Sequence, residues 1–121
     1  MRPLLQTDIV PFLKRFDNFK DAEFRSLEII SPLLITLTLA VQDASRAFDW
    51  ITITLEFSGI SDAKLLEEQQ LSFIDMSEGI SLISIENKFA FATSECYNIS
   101  CIKNSSLYLI ADSLKYQEGQ F

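Results

Sequence analysis

Two stretches of the chain alternate between apolar and polar residues with a strict period of two. From Leu33 to Val41 the odd positions are Leu33, Ile35, Leu37, Leu39 and Val41, and from Asp49 to Phe57 they include Ile51, Ile53, Leu55 and Phe57. Side chains alternate faces along a strand, so each stretch predicts a strand with one apolar face. The polar connection Gln42–Ala47 has hairpin length. Antiparallel pairing is expected to oppose Leu37 with Ile53, Leu39 with Ile51, Thr38 with Thr52, Thr36 with Thr54 and Ala40 with Trp50. One face is then wholly apolar and the other carries a threonine ladder. A slip of one residue would scramble both faces, whereas a slip of two preserves them.

A helical period marks Thr7–Phe16, where Ile9, Phe12, Leu13 and Phe16 share one face. Thr7 or Asp8 caps it, and Pro11 falls in the first turn, where its missing N–H costs nothing. Glu23–Ile30 reads as a strand that turns at Ser31–Pro32 into the hairpin. Ser58–Gly59 is expected to break the chain, and Asp62 to cap a short helix over Ala63–Gln70 with Leu65 and Leu66 inward and Glu67 and Glu68 outward. Further strands are expected at Leu71–Asp75, at Ile80–Ile85 turning at Glu86–Asn87 into Phe89–Phe91, and at Ile99–Ile102 and Leu107–Ala111. The polar tail Ser113–Phe121 is expected to fray. The sum is one α+β domain over residues 1–121: an antiparallel sheet of six or seven strands, an N-terminal helix, and a second short helix on one face.

With 121 residues, 48% of them hydrophobic, the chain can build a core without metal or disulfide. Seventeen acidic against 10 basic residues leave a net charge of −7, and no Lys/Arg cluster offers phosphate a partner. Nucleic acid and anionic membranes are therefore expected to be repelled, and a basic partner attracted. Histidine is absent, which removes the commonest general base and metal ligand. No cofactor, metal or catalytic residue is assigned, and the chain reads as a non-enzyme. The segments Ser61–Lys64 and Ser100–Lys103 match S-x-x-K, but the companion motifs of penicillin-recognising enzymes are missing.

Met1–Asp8 lacks the apolar run of a signal peptide, and Pro32–Val41 is broken by Thr36 and Thr38, well short of the roughly 20 residues that span a bilayer. A cytoplasmic location is expected. That location favours free, partly buried thiols at Cys96 and Cys101, although a bend at Tyr97–Asn98 between two strands would permit a bridge. Asp75–Gly79 has some of the character of a calcium loop without its ligand spacing, and such carboxylates more often serve turns and caps.

The hairpin loop concentrates charge and aromatic surface: Arg46 lies between Asp43 and Asp49, followed by Phe48 and Trp50. Trp and Arg are common hot-spot residues at interfaces. The segment Phe19–Lys20–Asp21–Ala22–Glu23–Phe24–Arg25–Ser26–Leu27–Glu28–Ile29, with the hairpin after it, resembles small bacterial immunity-protein-like domains that carry F-x-D-A-x-h-x-S-h-x-h. The likeness covers about the first half of the chain, and Lys20 stands where other members often have His. It implies a domain that works by binding and neutralising a toxin partner. The expected contact residues are Asp43, Arg46, Asp49, Trp50, Asp62, Glu67 and Glu68. Two other readings remain open. One is a structural subunit or homo-oligomer that uses the Thr/Trp sheet face. The other is a small-molecule binder with a pocket lined by Phe12, Phe16, Phe24, Phe89 and Phe91.

Overall fold

The computed structural model describes residues 1–121, apart from the side chain of Glu68. Seven strands, all paired antiparallel, form one sheet: β1 (Arg2–Pro3), β2 (Glu23–Ser31), β3 (Leu34–Asp43), β4 (Asp49–Lys64), β5 (Ser81–Ile85), β6 (Lys88–Ala92) and β7 (Tyr108–Gln120). Their order is β2-β3-β4-β7-β6-β5, and β1 sits beside the C-terminal half of β7. Three short helices complete the fold: α1 (Ile9–Arg15), α2 (Glu68–Leu71) and α3 (Ile99–Lys103). No helix is long and apolar enough to cross a membrane. The α+β antiparallel architecture follows the hydrophobic pattern, but several elements differ from expectation.

The β3–β4 hairpin keeps the expected faces and shifts the expected register. Leu37 opposes Leu55 rather than Ile53, Thr38 opposes Thr54, and Trp50 opposes Gln42 rather than Ala40. A two-residue slip leaves the alternation intact, so hydrophobic patterning cannot distinguish the two; the turn decides. Asp43 accepts a bond from the Ser45 N–H at 2.9 Å, and the Phe48 N–H donates to the Asp43 carbonyl at 2.9 Å, which closes the loop at Asp43–Asp49. On the odd face Ile35, Leu37, Leu39, Val41, Ile51, Ile53, Leu55 and Phe57 are all buried, while Leu33, outside the strand, is exposed. On the other face Thr38 and Thr54 share a hydroxyl hydrogen bond at 3.1 Å.

Gly59 does not break the chain. It adopts φ +70° at an irregularity where its N–H and that of Ile60 both reach the Leu33 carbonyl, and β4 continues to Lys64. A Cβ at Gly59 would stand 2.6 Å from the Asp112 carboxylate, so glycine is required there for space as well as conformation. Residues 62–64 therefore belong to a strand, Asp62 caps nothing, and the expected helix shrinks to α2. Leu71–Asp75 is likewise not a strand, since Leu71 ends α2 and turns follow it. Ile99–Ile102 is the first turn of α3, started by the Asn98 side chain, which accepts from the Cys101 N–H at 2.9 Å. This helical turn carries Cys101 back to Cys96, and the two are joined in a disulfide rather than left as free thiols.

The largest correction concerns the C-terminal tail. Instead of fraying, Ser113–Gln120 completes β7, which pairs with β4 from Tyr108 opposite Lys64 to Gln120 opposite Ile51. Its alternation is the reason. Leu114 and Tyr116 face the core, where Phe12 of α1 meets the Tyr116 ring at 5.0 Å. The core thus lies between α1, the 65–80 crossover and one sheet face. A smaller cluster on the opposite face packs Ile102 and Cys96 onto Ala90, Ala92, Tyr108 and Ile110.

Leu37→Ala is expected to cost roughly 2–5 kcal/mol, because a fully buried side chain leaves a cavity. Thr38→Ala is expected to cost less than about 1 kcal/mol, the value of one cross-strand pair. Denaturant melts of the two variants measure the contrast, and equal losses would mean that both faces are closed.

Candidate functional site

The sheet end formed by the β3–β4 turn and the end of β7 gathers four of the seven expected contact residues. Asp43 closes the apolar face of β3 as a carboxylate, and it has no exposed surface. A buried charge must be paired. Arg15, one turn beyond Phe12 on α1, supplies the partner: its Nε donates to Asp43 Oδ1 at 2.9 Å and its Nη2 to Oδ2 at 2.7 Å. The same Nη2 also donates to Glu118 Oε1 at 2.5 Å. Arg46 completes the network, with its Nη2 3.2 Å from Glu118 and its Nε 3.4 Å from Asp43. Phe12 over Tyr116 and Arg15 over Glu118 are therefore two successive contacts between one helix face and one strand face.

These contacts set the electrostatics. Hydrogen bonding from Arg15, with a smaller contribution from the Ser45 N–H, holds the Asp43 carboxyl below the usual carboxylate range against the opposing effect of burial. The Arg15 guanidinium is pushed further up, chiefly by Asp43. Asp43 and Arg46 thus brace the turn from within, and Asp43 has no surface to offer a partner.

What the brace presents outward is aromatic. Ala47 and Phe48 take φ values of +55° and +65°, a conformation that L-residues adopt at a cost of about 1 kcal/mol or more each. The Phe48 ring is 63% exposed. Trp50 is half exposed and stacks beside Phe121 at 5.7 Å between centroids. The Arg25 guanidinium lies 4.6 Å over the Phe121 ring. A cleft of about 350 Å³ opens here, lined by Arg46, Asp49, Trp50 and the last residues of β7. Glu118 and Phe121 were hidden from sequence reading by the polar character of the tail. The period-two spacing of Leu114, Tyr116 and Glu118 was the available signal.

The remaining expected residues lie elsewhere. Asp49 and Asp62 are thirteen residues apart on one strand, about 40 Å at the usual rise. Asp62 accepts from the Tyr108 hydroxyl at 3.0 Å and lies 3.5 Å from Lys103. Burial first, and then Asp62, pushes the Tyr108 phenol up. Glu67 stands at the start of α2 and accepts from the Gln69 side chain at 2.8 Å, while the side chain of Glu68 lies outside the described residues. The phenylalanines at 12, 16, 24, 89 and 91 are buried in the main core.

Asp43→Asn is expected to destabilise the fold by roughly 3 kcal/mol at neutral pH, since it leaves Arg15 short of its main partner. Because the folded carboxyl titrates below the unfolded value of about 3.9, its contribution is full above that pH and is lost as pH falls through the folded value. Stability measured against pH should fall steeply for the wild type in this acid range and less steeply for the variant. In comparisons with known proteins, no family model, curated protein or solved structure matches the chain.

Proposed function

We propose that the chain is a non-catalytic binding protein of the immunity type, which neutralises a basic toxin domain through the sheet end at Trp50. One observation supports this above the others: Phe48 and Trp50 stay exposed at a turn that four ionic side chains brace, with Phe121 exposed beside them. Strained backbone that displays an aromatic ring to solvent contributes nothing to the core, and such strain collects at functional sites. A rigid aromatic patch loses little entropy on binding. The net charge of −7 adds long-range attraction for a basic surface, which speeds encounter more than it strengthens the complex. Asp49 beside the patch supplies a local anion. The reading places the protein in the cytoplasm, where the bridge between Cys96 and Cys101 would stand reduced.

Capture from the native organism is expected to recover one basic protein, with an association rate that falls as salt rises. Trp50→Ala should weaken that complex by about 2 kcal/mol or more, close to thirtyfold, if Trp50 is a hot spot. Binding that ignores both salt and this substitution would overturn the reading.

A second reading, self-association, draws on the edge strand β2, where Ile29 and Ile30 are exposed beside Leu33. Exposed apolar edges favour strand addition. Light scattering at high concentration should show a dimer if this reading holds, and a monomer removes it.

A further inference from the structure

The bridge between Cys96 and Cys101 spans the start of α3, and its two sulfurs stand in different surroundings. Cys96 is 3% exposed and packs among Ala90, Ala92, Ile102, Tyr108 and Ile110, whereas Cys101 is only partly buried at the margin of that cluster. The Ser94 hydroxyl lies 3.4 Å from the Cys96 sulfur. A bridged sulfur has no hydrogen to give, so Ser94 is the donor. Ser94 Oγ in turn stands 3.2 Å from the Ser105 hydroxyl, which is left to donate to it.

The backbone on either side of the bridge is held by bonds that do not involve sulfur. The Ser81 hydroxyl donates to the Ser94 carbonyl and accepts from the Cys96 N–H, both at 2.6 Å. The Cys101 N–H donates to the Asn98 side chain at 2.9 Å, and Ile102 beside it is fully buried. The two Cα atoms, 5.5 Å apart, are therefore kept close when the bridge is open. The Glu95 carbonyl lies 3.6 Å from the Cys101 sulfur and is placed to accept from its S–H in the dithiol form. Each thiol has a partner in place, and each stays within reach of the other.

We propose that this pair is a reversible thiol–disulfide exchange site, at which a dithiol reductant attacks the Cys101 sulfur and Cys96 is the leaving thiolate. The attacking thiolate must reach one sulfur of the bridge, and access selects Cys101. As the new S–S bond forms the old one breaks, its electron pair stays on Cys96, and a mixed disulfide remains on Cys101. Ser94 donates to the sulfur that gains the charge, which offsets the cost of a thiolate in apolar surroundings. Water then protonates Cys96. The second thiol of the reductant displaces Cys101, so the dithiol is oxidised to a disulfide by two electrons and the bridge becomes two thiols. A disulfide oxidant runs the same steps in reverse. No group of three acidic, thiol or imidazole residues able to hold a metal occurs among the described residues, so the chemistry of the pair is that of sulfur alone. Exchange here requires nothing of the Trp50 end.

Dithiothreitol is added to the folded chain without denaturant, the reaction is quenched with acid, and free thiols are counted by alkylation and mass spectrometry. Complete opening with the circular-dichroism spectrum retained is expected, and glutathione disulfide should restore the bridge. Glutathione disulfide should modify Cys101 in the Cys96→Ser variant about tenfold or more faster than Cys96 in the Cys101→Ser variant. Ser94→Ala should slow reduction about fivefold, the value of one hydrogen bond, and Ser94→Thr, which keeps a hydroxyl, should recover most of the rate. A loosened loop would instead expose the bridge and speed its reduction, so the direction of the change separates the two effects. Free thiols in the air-oxidised chain, reduction only in denaturant, equal modification of the two cysteines, or a Ser94→Ala rate at or above that of the wild type would each overturn the proposal.

Discussion

The pairing of β4 with β7 holds the two halves of the molecule together. On one side of it hang β3 and β2, on the other β6 and β5, with β1 pairing beside Lys115 and Tyr116 of β7. This central ladder forms only because the last residues of the chain return to the first long hairpin. The pairing runs from Gln120 opposite Ile51 to Tyr108 opposite Lys64, and the irregularity between Ile60 and Asp62 divides it into two regions. Before the irregularity, α1 covers one sheet face. Beyond it, α3 covers the other.

The polar ends of that ladder explain where surface remains for binding. At the Trp50 end the apolar rows stop at Asp43 and Glu118, and Arg15 and Arg46 compensate their charge. The cost of burying Asp43 is offset only because Arg15 approaches with two parallel hydrogen bonds. In return the turn is stiff enough to hold Phe48 and Trp50 outward. At the Tyr108 end, the 93–98 loop is held by the Ser81 hydroxyl, which donates to the Ser94 carbonyl and accepts from the Cys96 N–H. The Trp50 surface therefore sits on an anchored turn at one limit of the strand pair.

A binding role suits this arrangement better than a pocket role. The phenylalanines that could have lined an apolar cavity are consumed by the core, with Phe12, Phe16 and Phe19 packed ring against ring. What is left outside is charge, hydroxyl groups, a few aromatic rings and the aliphatic side chains of Val10, Ile29, Ile30 and Leu33.

Local pattern determined what local physics controls. The alternation in Leu33–Val41 and Asp49–Phe57 dictated two strands and their buried face, the spacing of Ile9, Phe12 and Phe16 dictated α1, and Glu86–Asn87 dictated a tight turn, because each depends on side-chain periodicity or on a two-residue backbone preference. The loop at Asp43–Asp49 was also visible as a place of charge and aromatics. Tertiary structure alone decided the rest. The two-residue register shift preserves every face, so only the closure of the turn could set it. Gly59 reads as a breaker in isolation, yet here it serves a kink inside a strand, because the Leu33 carbonyl accepts from its N–H while Asp112 crowds it from β7. The tail looked too polar to order itself, and by itself it would be; it is ordered because β4 offers an open ladder and Arg15 needs an anion where Glu118 arrives. Long-range partners carry no signature in the residues beside them, and that is why Glu118 and Phe121 took on meaning only once the chain had folded back on itself.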